Sequence, residues 1–227
     1  MFIATDSNGD RINSLLYDEI TLERRAKNNE IFCPECGNNL KFRSGTFRPH
    51  FWHGKNNRTY SYSEPESETH IKGKTLLYDW LRSLYPKADV QLEWKIEETN
   101  QRSDVIVIHK NGEKWAFEFQ CTPISEIVWL ERHSLYKQAG VHDFWIMSSD
   151  VSRYIHEKNK AFRLSKDLEK AIFKTNGLAY YLDVEKQLFH VIRGGEFETK
   201  TIIIDSDYFF SIPIDESRVV GLEIWNK

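Results

Sequence analysis

Arg102-Ser103-Asp104-Val105 and Phe117-Glu118-Phe119-Gln120, joined through a linker containing Asn111-Gly112, are two apolar strand-like runs, each interrupted by a carboxylate. A charge inside a strand that otherwise reads as core costs several kcal/mol unless something pairs with it. Two such carboxylates on neighbouring strands therefore point to a divalent cation. The turn decides whether they meet. With Asn111-Gly112 as a two-residue turn, Lys110 opposes Glu113, Asp104 falls opposite Phe119, and the two acids face different ways. A three-residue loop from Lys110 to Gly112, with Gly112 left-handed, instead pairs His109 with Glu113. Asp104 then stands opposite Glu118, with Gln120 on the same face. The cation site needs the longer loop; the alternative is two surface carboxylates on an edge hairpin.

The flanking segments fit this hairpin. Pro65 to Leu84 reads as a helix, with Leu77, Leu81 and Leu84 at helical spacing and Pro86 after its end. Projected at about 100° per residue, Glu66, His70 and Lys74 share the leucine side, as on a helix whose first half lines a site and whose second half packs. Glu66 can equally close a capping box with Ser63. His70 and Lys74 can equally be ordinary helix-surface residues. Val90, Leu92, Trp94 and Ile96 alternate as a strand with one buried face. Ser125 to Ala139 reads as a helix with Ser125 as N-cap and Gly140 as its C-terminal stop, and Phe144 to Met147 as a buried strand.

Upstream, Phe2 to Thr5 and Ile12 flank Asn8-Gly9-Asp10 as a small hairpin, and a short helix is expected within residues 14–29. Cys33 and Cys36, then His50 and His53 after a thirteen-residue gap, carry zinc-ligand chemistry in two close pairs. Gly37 allows the knuckle turn and Gly45 the hairpin between. The His-x-x-His spacing is short and no helical pattern crosses it, so the expectation is a ribbon-like finger rather than a groove-reading one. Cys121 lies apart from this set and reads as a buried thiol beside the site strand. The basic, aromatic run 54–63 is either a nucleic-acid contact or a solvated linker.

The segments Cys33-Pro34-Glu35-Cys36, His50-Phe51-Trp52-His53, Glu66 with His70 and Lys74, Arg102 to Val105, Glu118 to Gln120, Arg132 with Tyr136, and Trp145-Ile146 occur in an order that resembles the competence protein CoiA-like family. The resemblance covers roughly residues 1–150. The element order helix, strand, strand, strand, helix, strand is that of the restriction-endonuclease-like PD-(D/E)XK nucleases. The resemblance implies a metal-dependent nuclease that hydrolyses DNA phosphodiester bonds in DNA uptake and recombination, repair or defence. Mg²⁺ or Mn²⁺ would be held by Asp104 and Glu118, with structural Zn²⁺ in the finger. Glu66, His70, Lys74 and Gln120 would complete the catalytic set, and Arg102 and Arg132 would contact nucleic acid. Gln120 stands where most of the superfamily carries lysine, and an amide hydrogen-bonds without supplying charge. Lys74 or His70 is the expected substitute, and removing Lys74 is expected to abolish or greatly reduce activity without unfolding the chain. The alternative is a weakened or inactive DNA-binding accessory module of recombination.

The expected class is α/β (α+β), divided into an N-terminal hairpin and short helix (1–30), a finger (31–62), the nuclease-like core (63–150) and an accessory helix with β-rich extension (151–227). Within the last, 166–173 reads as an amphipathic helix; 178–182, 188–192, 201–204 and 222–225 read as strands, with a turn at Gly194-Gly195. With 31 Lys and Arg against 34 Asp and Glu, the net charge of −3 excludes a chain basic all over, so any nucleic-acid groove is a local patch. No run is apolar enough to span a bilayer, and three cysteines fit a reducing compartment. Cytoplasm is the expected location. DNA, with a second copy or a recombination or defence protein, is the expected partner.

Overall fold

Three residues close the central hairpin. The His109 amide donates to the Glu113 carbonyl at 2.8 Å and the Gly112 amide to the His109 carbonyl at 2.9 Å. Gly112 has φ +85°, the left-handed conformation that glycine adopts without strain. The ladder runs from Ile108 opposite Lys114 to Val105 opposite Phe117. One step further, the same register brings Asp104 level with Glu118.

In this computed structural model, residues 1–44, 48–54, 67–149, 155–156, 161–164, 166–193, 202–205, 209–220 and 223–226 are described. Gly45, Ser63, Pro65, Glu66, most of the 54–63 run and the Gly194-Gly195 turn lie outside them. The chain forms two units, residues 1–72 and 73–227. In the first, β1 (Ile3–Thr5) pairs with β2 (Arg11–Asn13). Helix α1 (Glu19–Lys27) starts at Asp18, whose carboxylate accepts from the Thr21 amide. Strands β3 (Leu40–Arg43) and β4 (His50–His53) form a second hairpin. Ala4, Ile12, Leu22, Ile31, Cys33, Leu40 and Phe51 make the core of this unit.

Helix α2 (Glu68–Leu84) begins in the first unit and continues into the second. There follow β5 (Asp89–Ile96), β6 (Gln101–Ile108), β7 (Lys114–Gln120), α3 (Glu126–Gln138) and β8 (Val141–Ser148). The helix, strand, strand, strand, helix, strand order is thus present. Beyond it come β9 (Ile155–His156), β10 (Ala161–Leu164), α4 (Asp167–Asn176), β11 (Leu178–Asp183), β12 (Leu188–Arg193), β13 (Ile202–Asp205), β14 (Phe209–Pro213), β15 (Ser217–Val220) and β16 (Glu223–Asn226). The region read as an extension contributes to the central sheet, whose seven strands run β14-β12-β11-β8-β7-β6-β5. Strand β8 is parallel to β7 and β11, and the other neighbours are antiparallel. No helix among the described residues is long and apolar enough to cross a membrane.

Helices cover both sheet faces. On one, the α2 residue Trp80 meets Phe117 edge-on at 6.1 Å and Phe189 at 5.0 Å. Gly73 lies against Phe119 so closely that a Cβ there would sit 2.0 Å from its ring. On the other face, Trp129 and Tyr136 of α3 pack with Leu168, Ile172 and Phe173 of α4 over Trp145, Met147 and Tyr181. Strand β5 takes part in both layers. Leu92 stands opposite Val105, which in turn opposes Phe117, on the α2 side, whereas Ile96, with Trp94 against it, belongs to the α3 cluster. The single buried face expected for Val90, Leu92, Trp94 and Ile96 is therefore divided. The division falls at Glu93, a non-glycine residue at φ +47°, where a left-handed residue breaks the strict alternation of a strand.

Candidate functional site

Three carboxylates line up across three neighbouring strands. Leu92 opposes Val105 and Trp94 opposes Ser103, so Glu93 on β5 lies level with Asp104 on β6, which lies level with Glu118 on β7. Glu93 and Glu118 are buried, and Asp104 is partly exposed. The Asp104 Oδ2 accepts the Phe119 amide at 2.9 Å, a strand N–H pinning the side chain in place.

Glu93 accounts for Lys74. The Lys74 Nζ donates to Glu93 Oε1 at 2.7 Å, and the two side chains are 1% and 2% exposed. A buried ammonium on a packed helix face requires such a counter-ion. Lys74 was expected to reach toward a metal; in the structure its charge is bound to a carboxylate that alternation assigned to the exposed side of β5. Glu93 was missed for that reason; the only sequence signal for it was a lysine on the leucine face of a helix.

Glu118 is held from α3, where Arg132 and Tyr136 lie one turn apart. The Arg132 guanidinium approaches Oε1 at 2.8 Å, and the Tyr136 hydroxyl donates to the same oxygen. Burial lifts the Tyr136 hydroxyl well above its usual range, so it remains a donor. Burial likewise pushes the Glu118 carboxyl up to about 7; Arg132 opposes this and the neighbouring Asp104 charge adds to it. Among the described residues, Oε2 of Glu118 takes no hydrogen bond. An acid raised by burial, with one oxygen left over beside a second carboxylate, is a donor set that suits a divalent cation.

Arg132 was expected as a nucleic-acid contact; its head is bound to Glu118 and lies 4.7 Å over the Trp145 ring, with 31% of the side chain exposed. Asp143 holds that ring at its edge, accepting Trp145 Nε1–H at 2.6 Å and His133 Nδ1–H at 2.9 Å. The Asp143 hydrogen bond raises the His133 pKa. Arg102 is partly exposed on β6, two residues from Asp104. The Gln120 amide donates to the Thr122 carbonyl just past its strand. His70 sits in the first turns of α2, its amide bound to Ser67 Oγ at 3.2 Å. Cys121, expected to be buried, is partly exposed.

In the first unit, Cys33, Cys36 and His53 bring their ligand atoms within 4.8 Å of one another. Gly37 turns the knuckle at φ +69°, and the amides of Cys36 and Glu35 donate to the Cys33 sulfur while burial pushes that thiol up. Among the described residues, both ring nitrogens of His53 are buried without a hydrogen-bond partner. Such an orphaned imidazole beside two thiols fits a zinc ion. His50 is a correction. Residues three apart on a strand point to opposite faces, so His50 lies away from the group and its Nδ1 bonds the Arg48 carbonyl at 2.9 Å. The protein is expected to carry about one zinc per chain, removed by chelation. His53→Ala should abolish the zinc signal in elemental analysis and His50→Ala should leave it; the reverse pattern overturns the assignment.

The family model for the competence protein CoiA nuclease-like domain matches residues 66–217. Over 143 residues the chain is 38% identical to a competence protein CoiA of Bacillus subtilis (strain 168); the match covers 63% of this chain and 37% of that protein. The chain thus spans little more than a third of that relative's length. No solved structure matches.

Proposed function

Because the chain belongs to the family of the competence protein CoiA nuclease-like domain, we propose that it is a metal-dependent nuclease of restriction-endonuclease-like design that hydrolyses DNA phosphodiester bonds. The observation that carries this reading is the pair of level carboxylates, partly exposed Asp104 and buried Glu118, the latter with a raised pKa and an Oε2 that takes no hydrogen bond among the described residues. Bound Mg²⁺ or Mn²⁺ would polarise the scissile phosphate and lower the pKa of a water that attacks in line.

The chain's own residues would do the rest. Asp104, fixed by the Phe119 amide, and Glu118, fixed by Arg132 and Tyr136, would present oxygens to the cation at a set spacing. Arg102 would contact a phosphate from the same strand as Asp104. The Lys74–Glu93 pair would hold α2 against the strand edge of the site. Expelling the Glu118 proton is part of binding the cation, so cleavage should fall as pH drops below about 7.

A second reading, a DNA-binding recombination module without turnover, draws on Gln120 and Lys74. Where the superfamily directs a lysine at the phosphate, this chain has an amide bound to Thr122 and a lysine bound to Glu93. Incubation with linear, circular and single-stranded DNA in Mg²⁺, Mn²⁺ or EDTA separates the two readings. Cation-dependent cleavage is expected; binding without cleavage in all conditions selects the second.

A further inference from the structure

We propose that the outer face of the β3–β4 hairpin is a stacking platform for single-stranded nucleic acid, with Trp52 as the stacking ring and Lys41 and Arg43 as phosphate contacts. The inference rests on the nuclease reading only for the class of ligand. Lys41 stands opposite Trp52, and Arg43 opposite His50, so these four side chains share one face. Leu40, Phe42, Phe51 and His53 share the other, where Leu40 and Phe51 join the core, Phe42 packs on it and His53 joins the two cysteines. The strand carrying Trp52 is thereby anchored through the very next residue.

Trp52 is only partly buried, while Lys41 and Arg43 are exposed. The Lys41 Nζ lies 5.6 Å and the Arg43 Cζ 5.5 Å from the indole centroid. Among the described residues neither cation has a carboxylate partner, and residues 40–54 contain Lys41, Arg43 and Arg48 but no Asp or Glu. Cation–π packing alone accounts for one cation on the ring. Two unneutralised cations beside one indole repel each other, and a phosphate chain relieves that repulsion. A base stacked on the indole would add a contact worth about a factor of ten or more in affinity. Duplex bases keep their faces stacked on one another, so the platform selects unpaired bases. An acidic peptide or an anionic lipid surface would use the cations and leave the ring idle.

The test is anisotropy titration of a fluorescent oligothymidylate and of a hairpin duplex against the full chain, without added divalent cation. Trp52→Ala should weaken oligothymidylate binding about tenfold and leave duplex binding nearly unchanged, while Trp52→Phe stays close to the parent. Equal loss on both ligands, or no loss on either, overturns the proposal. If Trp52→Ala fails to fold, Lys41→Gln combined with Arg43→Gln decides: the plot of log affinity against log salt should flatten by about 0.7 per lost contact. An unchanged slope, or competition by polyglutamate or anionic vesicles as effective as that by unlabelled oligothymidylate, also overturns it. Trp52-dependent binding with no cleavage removes the nuclease reading and leaves this one standing. Cleavage with Trp52-independent binding does the opposite.

Discussion

Lys74→Ala should destabilise the protein by about 3–5 kcal/mol, the range for removing one member of a buried ion pair. Glu93 would be left as a carboxylate 2% exposed with its ammonium gone. Small domains are stable by about 5–15 kcal/mol in total, so the loss is a large fraction of the whole. A urea titration should show the midpoint falling sharply. Lys74→Met combined with Glu93→Gln should recover most of it, because a neutral pair of similar volume avoids a buried carboxylate that has lost its ammonium. A midpoint for Lys74→Ala equal to the parent's would mean that the pair contributes nothing. The same titration decides whether Lys74 can be removed without unfolding, as its place on the helix alone led one to expect.

Asp104→Ala and Glu118→Ala should each reduce cation-dependent cleavage to background, on the order of a hundredfold or more, as expected for removing a group that stabilises charge at the reacting centre. Gln120→Ala should be milder. Cleavage surviving Asp104→Ala at full rate would place the chemistry elsewhere. Glu118→Gln separates catalysis from stability. Burial pushes the Glu118 carboxyl up from its ordinary 4.5 to about 7. Between those two values the folded state holds a proton that the unfolded chain releases. Stability therefore falls as pH rises through that window, by an amount on the order of 3 kcal/mol. Glu118→Gln removes the dependence, so its advantage over the parent should be absent near pH 4 and full above pH 7. Thermal melting of both proteins across that range would reveal it, and parallel curves would refute it.

Much of this was legible in the chain. The Asn111-Gly112 linker, read with the demand that Asp104 meet Glu118, required the three-residue loop that is found. The leucine spacing of α2, the Ser125 cap of α3 and the strands around residues 178–193 also follow from local pattern, because each is set by neighbours within a few residues. What escaped was non-local. Nothing in Leu92-Glu93-Trp94 announces a left-handed residue, since a non-glycine takes that conformation only when surroundings compel it. Without it, Glu93 reads as solvent-facing. His50 was grouped with His53 by proximity in sequence, although the strand between them sends the two rings apart. That β11, β12 and β14 join the central sheet depends on strand order, which periodicity does not encode.

The close seat of Gly73 on Phe119 restricts how the chain can change over descent. Any side chain at position 73 drives into that ring, so drift there is blocked unless Phe119 shrinks in the same step. Phe119 supplies the amide that pins Asp104, and Lys74 follows Gly73 directly in the helix. A lineage seeking to reposition its lysine by sliding or tilting α2 thus meets a barrier one residue away from the lysine itself. The open route for restoring a cation beside the carboxylates runs through position 120, where the strand ends and glutamine needs only a change of its tip.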